Sequence, residues 1–175
     1  AVAEGDVAGH SIWYKISYTG TMTTSESDVW SKGGKYPFMA GTVGTAMQVY
    51  SSSAADTNGS TGARTVTIHY LDRNYALGTE TVTMSGTAYA TTSATDIYRI
   101  NDFHIETAGG SVSAVGNISI TNAGGTTTYA YILAGYTLGR SSAYTVPAGK
   151  TLYVTSASYG YGVAQNQVNY ARMML

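Results

Sequence analysis

The imidazoles and carboxylates of this chain are few enough to take one at a time. The three histidines are His10, His69 and His104. A zinc site is usually spelled His-x-His or His-Glu-x-x-His, spacings that put two ligands on one face of a strand or helix. Neither spelling occurs. His69 alternates with threonines and is expected to face solvent or a hydrogen-bonding neighbour. Asp102-x-His104 is the orienting half of a catalytic triad, but Gly-x-Ser-x-Gly is absent and serine is common throughout, so coincidence explains the pair better. Glu26, Asp28, Glu80, Asp96, Asp102 and Glu106 are the acids that would have to converge for glycoside hydrolysis. Most of them fall at turns or strand ends, where solvation accounts for them. Asp56-Thr57-Asn58-Gly59 matches half of a calcium loop without the bidentate glutamate downstream, and reads as an Asx turn. The glycine clusters at 41–44, 109–116 and 124–125 lack the Lys-Ser/Thr ending of a phosphate loop and read as turns. Asn58-Gly-Ser and Asn117-Ile-Ser match the glycosylation sequon, which carries no weight without a secretory context. The expectation is an enzyme-free reading: no catalytic residue, no metal and no cofactor.

The elements that would position any site are strands. From Gly62 to Gly86, Val66, Ile68 and Tyr70 alternate with Thr65, Thr67 and His69, and Val82 and Met84 alternate with Thr81 and Thr83. A period of two marks a half-buried strand, and two strands joined by Asp72–Gly78 must pair antiparallel, since a parallel crossover needs about a dozen residues. Upstream, Ile12, Tyr14, Ile16 and Tyr18 share one face of a first strand and leave Trp13 on the other. Gly20 to Lys35 reads as a loop or extended arm, Tyr36-Pro-Phe-Met39 as an apolar patch, Ala46 to Tyr50 as a short strand and Ser51 to Gly62 as a loop. Ile97 to Glu106 is a longer strand with a phase break at Asn101-Asp102 that predicts a bulge. Short strands follow at Asn117–Asn122 and Thr128–Leu133, and Pro147-Ala-Gly-Lys150 turns a hairpin between Ala143–Val146 and Thr151–Thr155. Tyr159-Gly-Tyr-Gly162 interrupts the next strand, and Val168 to Leu175 begins another.

No helical periodicity appears, so about nine or ten short strands with Gly-rich turns predict an all-β chain, an antiparallel sandwich or jelly roll. The 175 residues make one domain, with residues 1–45 as an N-terminal arm with the first strand and 46–175 as the sandwich. Charged residues are 11% of the chain against about 25% in an average domain. A net charge of −1 gives no case for nucleic acid or an anionic membrane, and no apolar run reaches the ~18–20 residues of a spanning helix. No signal peptide is visible in the residues at the amino end, and without cysteine no disulfide framework is expected. The surface is therefore Thr, Ser, Gly and Tyr, a composition suited to being covered by neighbours. Trp13, Trp30, Tyr36, Phe38, Tyr159 and Tyr161 fall off the main alternation or in loops. Any one of them can be core or edge packing; together they point to an interaction surface. The segment from Gly20 to Phe38 carries Trp30, Tyr36 and Phe38 among Gly, Ser and Thr, and is expected to cross to another subunit.

Asp28-Val-Trp-Ser-Lys-Gly-Gly-Lys-Tyr-Pro-Phe-Met, Ser51-Ser-Ser-Ala-Ala-Asp-Thr and Thr61-Gly-Ala-Arg-Thr-Val-Thr-Ile resemble virion structural proteins of tailed bacteriophages. So do Glu80-Thr-Val-Thr-Met-Ser-Gly-Thr, Ala114-Val-Gly-Asn-Ile-Ser-Ile and Tyr144-Thr-Val-Pro-Ala-Gly-Lys-Thr-Leu-Tyr-Val-Thr-Ser, so the resemblance covers most of positions 28 to 156. It implies a non-enzymatic particle component of the capsid decoration (cement) kind: a homotrimer on the capsid surface that contacts the major capsid protein. Family members are expected to continue with further strands beyond the equivalent of Leu175, supplied here by more chain or by a neighbouring subunit. The alternative is a tail- or head-fibre component that binds a receptor or glycan, stacking it on Trp13, Trp30 or the Tyr159–Tyr161 loop.

Overall fold

The computed structural model describes residues 7–20, 26–41 and 43–160. Among them there is no helix, and seven strands form two antiparallel sheets. The strands are β1 (Gln48–Ser51), β2 (Ala63–Leu71), β3 (Leu77–Thr83), β4 (Ala90–Thr91), β5 (Arg99–Ala108), β6 (Ile118–Thr121) and β7 (Thr128–Ile132). One sheet runs β4-β1-β6-β7 and the other β3-β2-β5, and together they make a β-sandwich.

The β2–β3 hairpin forms where the alternation predicts it, with Val66 opposite Val82 and Leu71 opposite Leu77. Asp72 closes the turn: its Oδ1 accepts from Asn74 N at 2.7 Å and Ala76 N at 2.9 Å. Inward-facing Val66, Ile68 and Val82 meet Phe103 of β5 and, across the sandwich, Val49, Ile118, Ile120 and Ile132, all buried. Burying each such side chain contributes roughly 1.5–3 kcal/mol. On the outer face threonines pair across strands, Thr67 with Thr81 at 2.9 Å between Oγ1 atoms and Thr65 with Thr107 at 2.6 Å.

The predicted bulge is present. Ladder partners run Ile68↔Phe103 and His69↔Asp102, then jump to Tyr70↔Ile100, which leaves Asn101 unpaired in the register. Its side chain clamps the 143–146 segment instead: Nδ2 donates to Thr145 O at 2.8 Å, and Thr145 N donates to Oδ1 at 2.9 Å. Beyond β7 the chain crosses to the other sheet, where Ile105 N donates to Thr137 O and Gly139 N to Phe103 O, both at 2.7 Å.

Two expected strands are not ladders. Among the described residues, His10–Tyr18 forms no strand ladder, and neither does Thr151–Thr155. The turn at Pro147 does close, with Lys150 N donating to Pro147 O at 3.1 Å, but its two arms diverge. Asn101 and Lys15 hold the first arm against the sandwich, while every residue of the second is exposed. The strand expected from Val168 lies outside the described residues.

Asp56 does not make the expected Asx turn, nor half a calcium loop. It is fully buried, and its carboxylate is saturated by donors. Oδ1 accepts from Ala63 N at 2.8 Å and Val115 N at 2.9 Å, and Oδ2 from Ser51 Oγ at 2.6 Å and Gly116 N at 2.8 Å. N–H and O–H dipoles occupy the lone pairs a cation would need. Replacing Asp56 with Ala strands these donors, at about 1–3 kcal/mol for each that water cannot reach. A total near 3 kcal/mol or more lowers the melting temperature by roughly 10 °C in a domain of this size. Asp56→Asn turns an amide N–H toward backbone N–H groups and should also melt well below wild type in calorimetry. An Asn variant as stable as wild type would show that the charge-assisted cluster matters little.

Candidate functional site

The expected interface residues that are described differ widely in burial. Trp30 is 3% exposed and bridges to Ser141, with Ser31 N donating to Arg140 O at 2.8 Å and Ser142 N to Val29 O at 2.9 Å. Its indole N–H donates to Gly34 O at 3.1 Å. Its ring meets Tyr36 edge-on at 5.1 Å, and the Tyr36 hydroxyl donates to Tyr129 O at 2.9 Å. Burial pushes that phenol up to about 12. Phe38 continues the row 4.9 Å from Tyr36 and is itself 58% exposed, with the Arg99 guanidinium 6.0 Å from its ring. The described part of the segment expected to cross to another subunit, residues 26–38, packs instead on its own chain, against β7 and residues 140–142. The reason is local: residues 140–142 satisfy its backbone, and the indole and phenol both find carbonyls. Trp13 stacks elsewhere, with its ring 4.0 Å from that of Tyr144. Tyr159 is exposed, and Tyr161 lies outside the described residues.

The alternation at 12–18 is present, with its apolar row turned outward. Ile12, Tyr14, Ile16 and Tyr18 are all exposed, Tyr14 by 80%, while Lys15 and Ser17 between them are partly covered. Lys15 anchors the segment by donating to Asn101 O at 2.7 Å and to Ala143 O. Desolvation pulls its amine down to about 8, against the Asp102 carboxylate, which raises it. On the far side of the turn, Leu152, Tyr153 and Val154 are exposed as well. Polar atoms face the protein and apolar ones face out.

A second cluster lies on the outer face of the three-stranded sheet. Asp102, His104 and Glu106 alternate along β5 beyond the bulge, and the register sets His69 of β2 opposite Asp102. The two imidazoles stack at 5.5 Å between centroids. His104 Nδ1 is 2.7 Å from Asp102 Oδ2, and His104 Nε2 is 3.4 Å from Glu106 Oε2. Asp102 and His104 are thus a real pair, but the far nitrogen faces a carboxylate where a triad needs a hydroxyl. Glu80, another acid of the glycosidase reading, accepts from Ser93 N at 2.6 Å and Ala94 N at 2.9 Å, and so holds a loop. Sequence inspection missed the meeting of His69 with Asp102. The signal was partial: the threonine face and the predicted bulge assign each residue its side, but only the register brings them together.

On the opposite sheet Tyr50, Ser119 and Tyr131 lie side by side on β1, β6 and β7. They help line an open groove of about 310 Å³ with Lys32, Ser52, Asn117 and Thr128. Behind Trp30 and Tyr36 is a cavity of about 20 Å³, too small for an organic substrate.

No protein-family model, curated protein or solved structure matches this chain.

Two measurements follow from the packing of Trp30 and Tyr36. Trp30→Ala removes a buried indole, which costs about 3–5 kcal/mol, and should lower the melting temperature of the isolated chain by roughly 10 °C. A shift within error, together with failed assembly, would return Trp30 to an inter-subunit role. Tyr36 gives a pH signature. Its folded value near 12 lies above the ordinary 10.0, so its contribution is complete below pH 10 and is lost as pH rises toward 12. Lys15 acts in the opposite sense, because the unfolded chain binds its proton more tightly between about 8 and 10.5. Urea melts of wild type and Tyr36→Phe from pH 9 to 11.5 cancel the lysine, and the wild type should lose stability more steeply above pH 10.

Proposed function

We propose that the protein is a non-enzymatic structural component of a tailed-phage virion, a capsid decoration (cement) protein. In this reading it sits on the capsid surface as a homotrimer and bridges subunits of the major capsid protein. The outward-facing apolar row at 12–18 carries the argument. A chain that spends Lys15 and Ser17 on its own sandwich and leaves Ile12, Tyr14, Ile16 and Tyr18 in water is arranged for cover from outside. Segments without ladder partners among the described residues, such as 12–18 and 152–154, are the kind of backbone that completes a neighbour's sheet edge. The resemblance to virion proteins and the sparse charge agree with a surface buried in an assembly. Against a hydrolase triad, His104 faces Glu106 where a nucleophile would have to stand.

The second reading, a fibre module that binds a glycan, draws on the groove. Tyr50 and Tyr131 flank Ser119 at its floor, an arrangement of aromatic faces and hydroxyls that suits a sugar ring. Its platform is then this pair, since Trp30 is interior.

Sedimentation of the purified chain and copy number in particles test the reading. The wild type should sediment as a trimer and be present in hundreds of copies per head. Ile12→Asp with Ile16→Asp should abolish both while leaving the melting temperature within about 2 °C, because exposed substitutions cost little. A dozen or fewer copies would sink the decoration role. Glycan-array binding that disappears in Tyr131→Ala would favour the fibre.

A further inference from the structure

We propose that His69, Asp102 and His104 form a binding site for a zinc-like divalent transition metal on the outer face of the β3-β2-β5 sheet. One ligand atom from each residue lies within 4.8 Å of the other two. Tetrahedral zinc holds nitrogen and oxygen at about 2.0–2.2 Å, which puts neighbouring ligand atoms roughly 3.4 Å apart. Small side-chain rotations therefore bring the three onto one ion without moving the backbone. That backbone is firm: β2 is the central strand of its sheet, paired along its length with both β3 and β5.

The surroundings fit a metal in three respects. His69 Nδ1 is 3.0 Å from Thr79 Oγ1, a contact that fixes the ring and leaves Nε2 as the ligating nitrogen when Nδ1 carries the proton. Glu106 Oε2, 3.4 Å from His104 Nε2, can take the proton of that nitrogen and leave Nδ1, 2.7 Å from Asp102 Oδ2, as the ligating one; Thr67 Oγ1 donates to the same Oε2 at 3.2 Å. Asp102 and Glu106 together offset the charge of a divalent cation. All of these groups are only partly covered, so an ion reaches them directly from solvent. Two imidazoles with a carboxylate select zinc, nickel or copper over magnesium and calcium, which prefer all-oxygen sets. The Lys15 ammonium, which feels the Asp102 charge, opposes the cation and keeps the affinity below that of a closed structural site. The bound metal ties β2 to β5 beside the bulge where the N-terminal segment docks.

The test is isothermal titration of the full, tag-free, chelator-stripped chain with zinc sulfate, paired with melting curves at rising zinc. One zinc per chain is expected, with a melting temperature that climbs with zinc concentration as linkage requires. His69→Ala and His104→Ala should each abolish the heat, and Asp102→Asn should weaken binding about tenfold or more. His10→Ala should change nothing. His69→Gln serves as a second variant if the Ala forms fold poorly, and metal-free melts of each variant check folding. Absence of zinc binding to the wild type overturns the site. Binding that survives loss of either His69 or His104 in a folded variant, or that calcium matches, overturns it equally.

Discussion

A single buried carboxylate holds the loops at one end of this sandwich. Asp56 joins the end of β1 through Ser51, the start of β2 through Ala63 and the approach to β6 through Val115 and Gly116. The farthest of these partners, Gly116, lies 60 positions from Asp56 in sequence. A buried carboxylate without partners would be too costly to keep, so the loops must converge on it together or not at all. The two glycines beside it show how closely they do. A Cβ at Gly62 would overlap Asp56 Oδ1, and one at Gly116 would overlap Ser53 N. The register of β1 with β6 and the start of β2 are both set there, and with them the face each strand turns to the core.

The Asn101 bulge does the corresponding work on the other sheet. An extra residue in β5 frees an amide side chain to pair with Thr145 and a carbonyl to receive Lys15. Both terminal segments thus attach to the sandwich through one irregularity. The same bulge sets the phase of Asp102, His104 and Glu106, so the docking of the arm and the composition of the outer face have a common cause.

What could be read from the residues follows from which interactions are local. The β2–β3 hairpin was legible because alternation and a short turn-forming connection specify it without help from the rest of the chain. So were β6, β7 and the bulge, which is a phase error visible in Ile97–Glu106 itself. The role of Asp56 was not, because its partners are backbone amides and one serine hydroxyl, and backbone amides have no sequence signature. Nor was the site around His69, since cross-strand neighbours depend on a register that a bulge has shifted. Trp30 misled through context. A tryptophan among Gly, Ser and Lys looks like a projecting anchor, yet residues 140–142 supply the bridge that turns it inward.

The arm at 12–18 is the more instructive case, because its periodicity was legible and its facing was not. Alternation says that two faces differ; it does not say which of them meets this chain. Burying the apolar face of 12–18 on its own sandwich would have left the Lys15 ammonium in solvent and the Asn101 and Ala143 carbonyls without that donor. The observed choice meets both carbonyls at the expense of a lysine amine lowered to about 8 and a row of exposed aliphatic and aromatic groups. An isolated chain gains little from such an exchange, since each large apolar side chain left in water forgoes roughly 1.5–3 kcal/mol. An assembly recovers that energy at the interface, and the polar anchor then fixes the angle at which the apolar face is presented. The proposed trimeric, capsid-bound reading and the outward apolar face are, in that sense, one proposition about where the missing contacts are made.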